Sequence, residues 1–383
     1  MNTGLPKHPL YQKLAYVLIC LLAIGYIVVH GKQLLSPFIF SCLFSILLLP
    51  VCRFFERKFH FPRSAAAMVS VALLLAAVAG VFYLLGTQLS NLADDWPLFK
   101  QQLTSSAGDL QVWISHQFHI NTAKQQGYVN DAKAKLMTSG TSVVGTTLLS
   151  VSSMALFLVF TFIYTVFFLL YRKLILTFFV RVFGPEHGAL VHEIVEQVQF
   201  IMRKYIIGLL IEMSIIMVFV SAVFSIIGIK YALLLGLITG LLNIIPYIGI
   251  YSAAVLSAII TMATGGSPSM AFAVAGILIF THLIDANVLL PLVVGSKVRI
   301  NAMVTVLGVV TGEMIWGIPG MFLSIPVIAV LKIIFDRVES LKPWGLILGD
   351  VEKKDQRFGR KFSRNKKPSL EKKLINEPEK PAG

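Results

Sequence analysis

The chain has 383 residues, of which 56% are apolar and only 14% are charged, and its mean hydropathy is +0.79. Soluble proteins carry about 25% charged residues, and several uncharged runs here exceed the ~18 residues typical of a transmembrane helix. The composition therefore argues against a soluble protein and predicts an all-α polytopic membrane protein. The net charge of +14 arises from basic residues at the ends of hydrophobic runs and in the C-terminal tail. It therefore indicates membrane topology, and we expect no nucleic-acid partner.

Five hydrophobic runs predict full spans at about residues 12–30, 34–52, 64–87, 149–171 and 205–228. The loops at about 53–63 and 172–204 are rich in Lys and Arg, whereas Lys32 is the only basic residue between the first two spans. Because cytoplasmic loops are enriched in basic residues, this pattern predicts a multi-pass protein with a cytoplasmic N-terminus. Residues 1–87 then hold the first three spans.

Residues 88–148 are predicted to be extracytoplasmic, with apolar side chains at helical spacing. We expect amphipathic helices there, packed on the membrane, on the rest of the protein or on a second copy; the alternative is a surface excursion that packs on itself. Residues 149–203 hold the fourth span and a cytoplasmic amphipathic segment that begins at about 184 and runs into the fifth span. Residues 336–383 are predicted to form a basic cytoplasmic tail that is mostly disordered.

Residues 204–335 are predicted to form a transport core, because they contain a broken apolar segment. Tyr231 to Thr264 is 34 residues without a charge, and one helix of that length would extend about 50 Å. The hydrocarbon core is about 30 Å thick. The stretch "NIIPYIG" (Asn243 to Gly249) interrupts the segment near its middle, and its length suits two short helices that meet inside the membrane. Irregular backbone at that depth requires surrounding protein or a water-filled cavity.

A second broken segment, Ala302 to Phe335, has the same length and is interrupted by "EMIWGIPG". A sixth span at about 270–292 separates the two. The fold predicted is therefore six full spans plus two re-entrant hairpins related by inverted topology, a pattern typical of secondary transporters. The motifs "GLITG" and "GVVTG" echo each other in the two segments. The alternatives are two kinked full spans, with the glycines serving close helix packing.

The same residues carry a family resemblance. The C-terminal half contains "GLLNIIPYIG" and, from Asp285 to Asp336, "DANVLLPLVVGSKVRINAMVTVLGVVTGEMIWGIPGMFLSIPVIAVLKIIFD". It resembles the AI-2E (autoinducer-2 exporter, PerM-like) family of membrane transporters. The resemblance implies a permease of the bacterial inner membrane that forms a homo-oligomer. The family suggests a pentamer as one such assembly. Members have been linked both to export of autoinducer-2 and to Na⁺/H⁺ antiport, so the substrate is left open.

Ionisable side chains inside membrane segments indicate function by default. The four here are Glu212 in the fifth span, His282 and Asp285 in the sixth, and Glu313 beside the second break. Three of them have a structural alternative: Glu212 paired with Lys204, His282 as a packing residue, and Asp285 as a helix-end cap. The other candidates for the solute and ion pathway are Thr239, Asn243, Pro246, Gly249, Asn287, Thr311, Gly317, Pro319 and Gly320.

No Walker A, H-E-x-x-H or G-x-S-x-G motif is present in the sequence. We therefore predict no enzyme activity, no cofactor and no structural metal. The expected function is secondary transport or export of a small polar solute or signalling metabolite, coupled to H⁺ or Na⁺. The alternatives are a Na⁺/H⁺ antiporter, a passive channel and a regulator of membrane permeability. The expected partners are the lipid bilayer, the solute, the ion and further copies of the chain.

Overall fold

The computed structural model of the protein describes residues 10–94, 153–245, 248–289 and 300–349. Within these ranges every regular element is a helix, apart from one isolated bridge between Ile300 and Gly349, which confirms the all-α architecture. In chain order the helices are α1 (Leu10–His30), α2 (Lys32–Lys58), α3 (Arg63–Asp94), α4 (Ser153–Leu170), α5 (Arg172–Phe183), α6 (Gly188–Ile227), α7 (Ala232–Leu242), α8 (Ile248–Ala263), α9 (Pro268–Ile284), α10 (Ala302–Trp316), α11 (Ile318–Arg337) and α12 (Lys342–Leu348).

Six helical stretches in the described residues are long and apolar enough to cross a membrane, and they contain α2, α3, α4, α6, α9 and α11. Five of them coincide with predicted spans. The sixth, α11, is the second arm of the second broken segment, so this arm is longer than a half-membrane helix. The apolar part of α1, Leu14–His30, groups instead with the shorter apolar helices, as do α7, α8 and α10.

Several boundaries differ from the sequence-based expectation. Helix α3 continues to Asp94, one to two turns beyond the predicted end of its span, and α5 and α12 were not predicted at all. Residues 336–348 are largely helical, where the expectation was a mostly disordered tail over 336–383, and Gly345 lets α12 lie closely against Asp336. The remaining tail, and the excursion beyond Asp94, lie outside the described residues.

The segment before the fifth span and the fifth span itself form one continuous helix, α6, of 40 residues. Its C-terminus is defined by Gly228, whose left-handed backbone (φ 83°, ψ 26°) ends the helix. Helix α6 packs against α7, α11 and α2. Its C-terminal half joins a core with α7, α8 and α9, whereas its N-terminal half joins a separate core with α2 and α11. Residues of α6 between these cores therefore lie at the centre of the bundle.

Both Gly-x-x-x-Gly motifs bring helices into close contact, as the packing alternative predicted. A β-carbon at Gly240 in α7 would lie 2.9 Å from the Met213 carbonyl oxygen of α6. In the second motif, Gly312 of α10 faces Gly320 of α11, and a β-carbon on either would overlap the other's backbone. The partners differ, since α7 packs on α6, the long helix that precedes it, whereas α10 packs on α11, the helix that follows it.

An ion pair joins α2 to the α4–α5 junction. Nη2 of Arg172 donates to both carboxylate oxygens of Glu56, at 2.8 and 2.7 Å, and both side chains are about one-fifth exposed. The pair fixes the ends of two helices that already share an apolar core around Leu48 and Phe162.

We expect this ion pair to contribute a coupling free energy of about 0.5–1 kcal/mol to stability, because partial solvent exposure screens the attraction. The measurement is a double-mutant cycle on Glu56→Gln, Arg172→Gln and the double variant, using unfolding in detergent. Strictly additive losses would show that the two side chains contribute independently.

Candidate functional site

Three polar side chains from distant parts of the chain meet inside the helix bundle. The side-chain amide of Asn243, just after α7, donates to Oε1 of Glu212 in α6 at 3.0 Å. The same nitrogen lies 3.4 Å from Oδ2 of Asp285, at the end of α9. Glu212 is 3% exposed and Asp285 is 6% exposed. Two carboxyl groups therefore share one amide donor in a buried position, and we call these three residues the carboxylate pair site.

The break after α7 positions the amide. Helix α7 ends at Leu242, and the backbone N–H of Asn243 still donates to Thr239 at 3.0 Å, so the Asn243 side chain leaves the last turn of α7. The next helix begins at Ile248. A β-carbon at Gly249 would overlap the carbonyl of Leu242, so only glycine lets the first turn of α8 pass so close to the end of α7. Pro246 lies outside the described residues.

The carboxylate pair site contains unpaired polar atoms. Oε2 of Glu212 and Oδ1 of Asp285 are buried and have no hydrogen-bond partner among the described residues. Nδ1 of His282, one turn before Asp285, is also buried without a partner, and its ring lies edge-on to Tyr251 of α8 with centroids 5.7 Å apart. Buried polar atoms without partners are costly. The arrangement is therefore suited to hold a proton or a small cation between the carboxyl groups.

Asp285 occupies an irregular backbone position. Helix α9 ends at Ile284 and continues as a single π-helical turn, Asp285–Leu289. Such turns inside helices occur frequently at functional sites. Asn287, in the same turn, is exposed and donates to the Leu283 carbonyl at 2.7 Å, so its amide points away from the pair.

The other predicted residues take different positions. Thr239 is fully buried, and its hydroxyl donates to Leu235 in its own helix at 2.7 Å. Thr311 and Glu313 lie exposed on α10, and no described contact joins Glu313 to the carboxylate pair site. Lys204 lies over the Phe200 ring, 4.7 Å from its centroid, while Glu212 contacts Asn243.

The second break is shorter than the first, because a single residue separates its two helices. Helix α10 ends at Trp316, and Gly317 connects it to α11 with φ 67° and ψ −141°, a conformation that strongly favours glycine. Pro319 lies in the first turn of α11, where its missing N–H costs nothing. The indole of Trp316 donates to the Val28 carbonyl at 2.9 Å and so ties this break to α1.

The two breaks are neighbours in space. Ile245 of the first break forms a small buried cluster with Val309 of α10 and Met321 of α11, and Ile244 packs against it. The sequence contained no direct signal for this contact. Tyr251 was not among the residues predicted from the sequence. Its spacing of four residues from Tyr247, in a run without charges, could have indicated a polar helix face.

The fold and site together define a polytopic α-helical membrane protein in which interrupted helices surround a buried acidic site. The chain belongs to the AI-2E family of transporters, whose model matches residues 17–340. This confirms the resemblance found in the sequence and supports the bilayer as the setting of the protein.

Known relatives are distant but cover most of the chain. "Putative transport protein YrrI" of Bacillus subtilis (strain 168) is 25% identical over 79% of this chain and 86% of its own length. "AI-2 transport protein TqsA" of Escherichia coli (strain K12) is 23% identical over 84% of this chain and 91% of its own length. A second Bacillus subtilis relative, "Putative transport protein YueF", is 24% identical over 82% of this chain.

Proposed function

We propose that the protein is a secondary transporter that exports a small polar solute, such as a signalling metabolite of the autoinducer-2 kind, coupled to H⁺ or Na⁺. The observation that carries this proposal is the carboxylate pair site, in which Glu212, Asn243 and Asp285 meet beside a broken helix. The name of the relative TqsA supports the solute class for that protein and motivates its test here.

Charge supports a cation as the coupling ion. Two carboxylates this close repel each other, and none of the ion pairs between described residues includes Glu212 or Asp285. One bound proton or sodium ion would remove half of the negative charge. Carboxylate oxygens are ligands suited to hard cations, and Oε2 of Glu212 and Oδ1 of Asp285 are two such oxygens that are buried without a hydrogen-bond partner.

Helix lengths support a re-entrant arrangement of the first broken segment. Helices α7 and α8 have 11 and 16 residues, which correspond to about 16 and 24 Å, less than the ~30 Å hydrocarbon core. In the second segment only α10, with 15 residues, is shorter than a span. We propose that the two breaks, which contact each other through Ile245 and Met321, move together during alternating access.

Exposed apolar surface supports a scaffold role for the first helices. Almost all side chains of α1 are exposed, including Leu22 at 71% and Tyr26 at 66%. We propose that lipid and further copies of the chain cover this surface in a homo-oligomer of the inner membrane, with both termini in the cytoplasm. Arg57 of α2 and Arg203 of α6 line the same cavity, so the two ends assigned to the cytoplasm lie on one side.

The test is a flux panel on purified protein in proteoliposomes, with imposed pH or Na⁺ gradients and with autoinducer-2 and other small polar metabolites as solutes. A coupled transporter should accumulate at least one solute against its gradient, and the accumulation should follow one imposed ion gradient. Exchange of Na⁺ for H⁺ without solute would identify an antiporter instead. Equilibration without accumulation under every gradient would indicate a passive channel and would contradict the proposal.

Glu313→Gln belongs in the same panel, because it tests whether the second break takes part in the pathway. Unchanged coupled flux in this variant would restrict the ion site to the first break and the end of α9.

A further inference from the structure

A second polar feature lies far along α6 from the carboxylate pair site and plays no part in the proposed transport chemistry. It is a solvent-open cavity of about 380 Å³ between the end of α2 and the first half of α6. The residues that line it are Pro50, Arg53, Phe54, Arg57, Lys58 and Arg203. Four of these six side chains are cationic and none is acidic.

The positive charge of the cavity is not neutralised by neighbouring acids in the described structure. Glu56, which lies between Arg53 and Arg57 in sequence, directs both carboxylate oxygens to Arg172. Among the ion pairs between described residues, none includes Arg53, Arg57 or Arg203. The cavity is therefore strongly electropositive.

Arg203 distinguishes this cavity from an ordinary basic surface. Its Nε atom is buried and has no hydrogen-bond partner among the described residues, whereas the cavity arginines of α2 are exposed. Basic residues that only set the membrane topology can all remain in water, so topology alone does not require a buried Arg203 nitrogen. Arg203 is the least exposed of the four cations and lies on a second helix, so an anion bound in the cavity would be shared between α6 and α2.

The remaining walls match an amphipathic ligand. Pro50 and the half-exposed ring of Phe54 form the apolar side of the cavity, and Lys58 lies over that ring, 5.3 Å from its centroid. Guanidinium groups bind phosphate oxygens through paired hydrogen bonds. Basic pockets between transmembrane helices at the cytoplasmic boundary suit anionic head groups.

We propose that this cavity is a phosphate-binding site, with Arg53, Arg57 and Arg203 as the ligands of the phosphate group. The phosphate belongs either to the head group of an anionic phospholipid or to a soluble phosphate compound. In both cases the bound anion joins α2 to α6.

The experiment uses the full chain in nanodiscs of phosphatidylcholine alone or with one-fifth phosphatidylglycerol, and native mass spectrometry to count retained lipids. A second arm adds inorganic phosphate to the phosphatidylcholine sample and follows the thermal unfolding midpoint. The test variant is Arg57→Gln with Arg203→Gln. The matched control is Lys173→Gln with Arg181→Gln, which removes two exposed basic charges from α5, outside the cavity.

For a lipid ligand, the wild type and the control should retain phosphatidylglycerol at least about ten-fold more strongly than the test variant, since each lost charged hydrogen bond costs more than a factor of ten. For a soluble ligand, phosphate should raise the midpoint of the wild type and the control only. If Arg203→Gln prevents folding, Arg53→Gln with Arg57→Gln asks the same question at exposed positions. Equal lipid retention and equal phosphate response in the variant and the control would overturn the proposal.

Discussion

Replacing Glu212 with Gln, or Asp285 with Asn, is expected to lower ion-coupled flux by at least about ten-fold while the protein stays folded. Either change preserves the shape of the side chain but removes a charge that would bind the coupling ion directly. A charged ligand of this kind contributes about 1.5–3 kcal/mol, which corresponds to a factor of ten or more. The measurement is the initial flux in proteoliposomes under an imposed pH gradient and, separately, under a Na⁺ gradient.

The same variants should keep or increase thermal stability. Each one removes one of two like charges that share a buried position, and a neutral amide can still contact Asn243. Loss of flux together with an unchanged or higher unfolding midpoint is typical of a functional site that is maintained at a cost to stability. A purely structural pair would instead lose stability when changed.

Glu339→Gln supplies the control, because this side chain is 93% exposed and lies in the short turn after α11. It should leave both flux and midpoint unchanged. If Glu212→Gln and Asp285→Asn both transport at the parental rate, the carboxylate pair site is not the coupling site.

Replacing Gly320 with Ala is expected to destabilise the protein by about 1–3 kcal/mol, the usual range for overpacking a close contact. The added β-carbon would overlap the carbonyl of Gly312 and would lie 3.1 Å from Cβ of Trp316. Since the first obstacle is backbone, no change of rotamer relieves it, and α10 and α11 must move apart. That movement also disturbs Trp316, whose indole holds the second break against Val28.

Gly276→Ala in α9 is the matched control, because a β-carbon there meets nothing within 4 Å. Alanine is the better helix former by about 1 kcal/mol, so this variant should be neutral or slightly stabilising. Thermal unfolding of both variants in the same detergent is the measurement. Equal midpoints for the two would show that the Gly312–Gly320 contact is not tightly packed.

Hydropathy predicted most of the helices correctly, because a helix in lipid must satisfy its own backbone hydrogen bonds within one continuous apolar stretch. Both breaks were also visible, since Asn, Gly and Pro in an apolar run oppose helix continuation. The helices that were not predicted lie outside the membrane segments, where hydropathy does not identify helices. Helices α5 and α12 are short and flank membrane segments, and their helical state depends on packing against α6 and on Gly345.

The individual site residues could be recognised in the sequence as costly polar groups in apolar segments. The sequence did not show which of them come together in the fold. Glu212 had Lys204 as a plausible partner in its own helix, whereas its contact is Asn243, 31 positions further along the chain. Glu313 looked equivalent to Asp285 in the sequence but is exposed on α10.

The sequence by itself determined the class of protein, the positions of five of its six long helices, the two breaks and the family. These follow from local properties: hydropathy, backbone conformation and motif order. Only the tertiary structure decided that Glu212, Asn243 and Asp285 share one buried position, that the two breaks touch, and that Arg203 meets the arginines of α2. The physical reason is that helix rotation and pairing are set by close packing of small residues, such as Gly240 on Met213, and an apolar helix has no polar face to reveal that rotation.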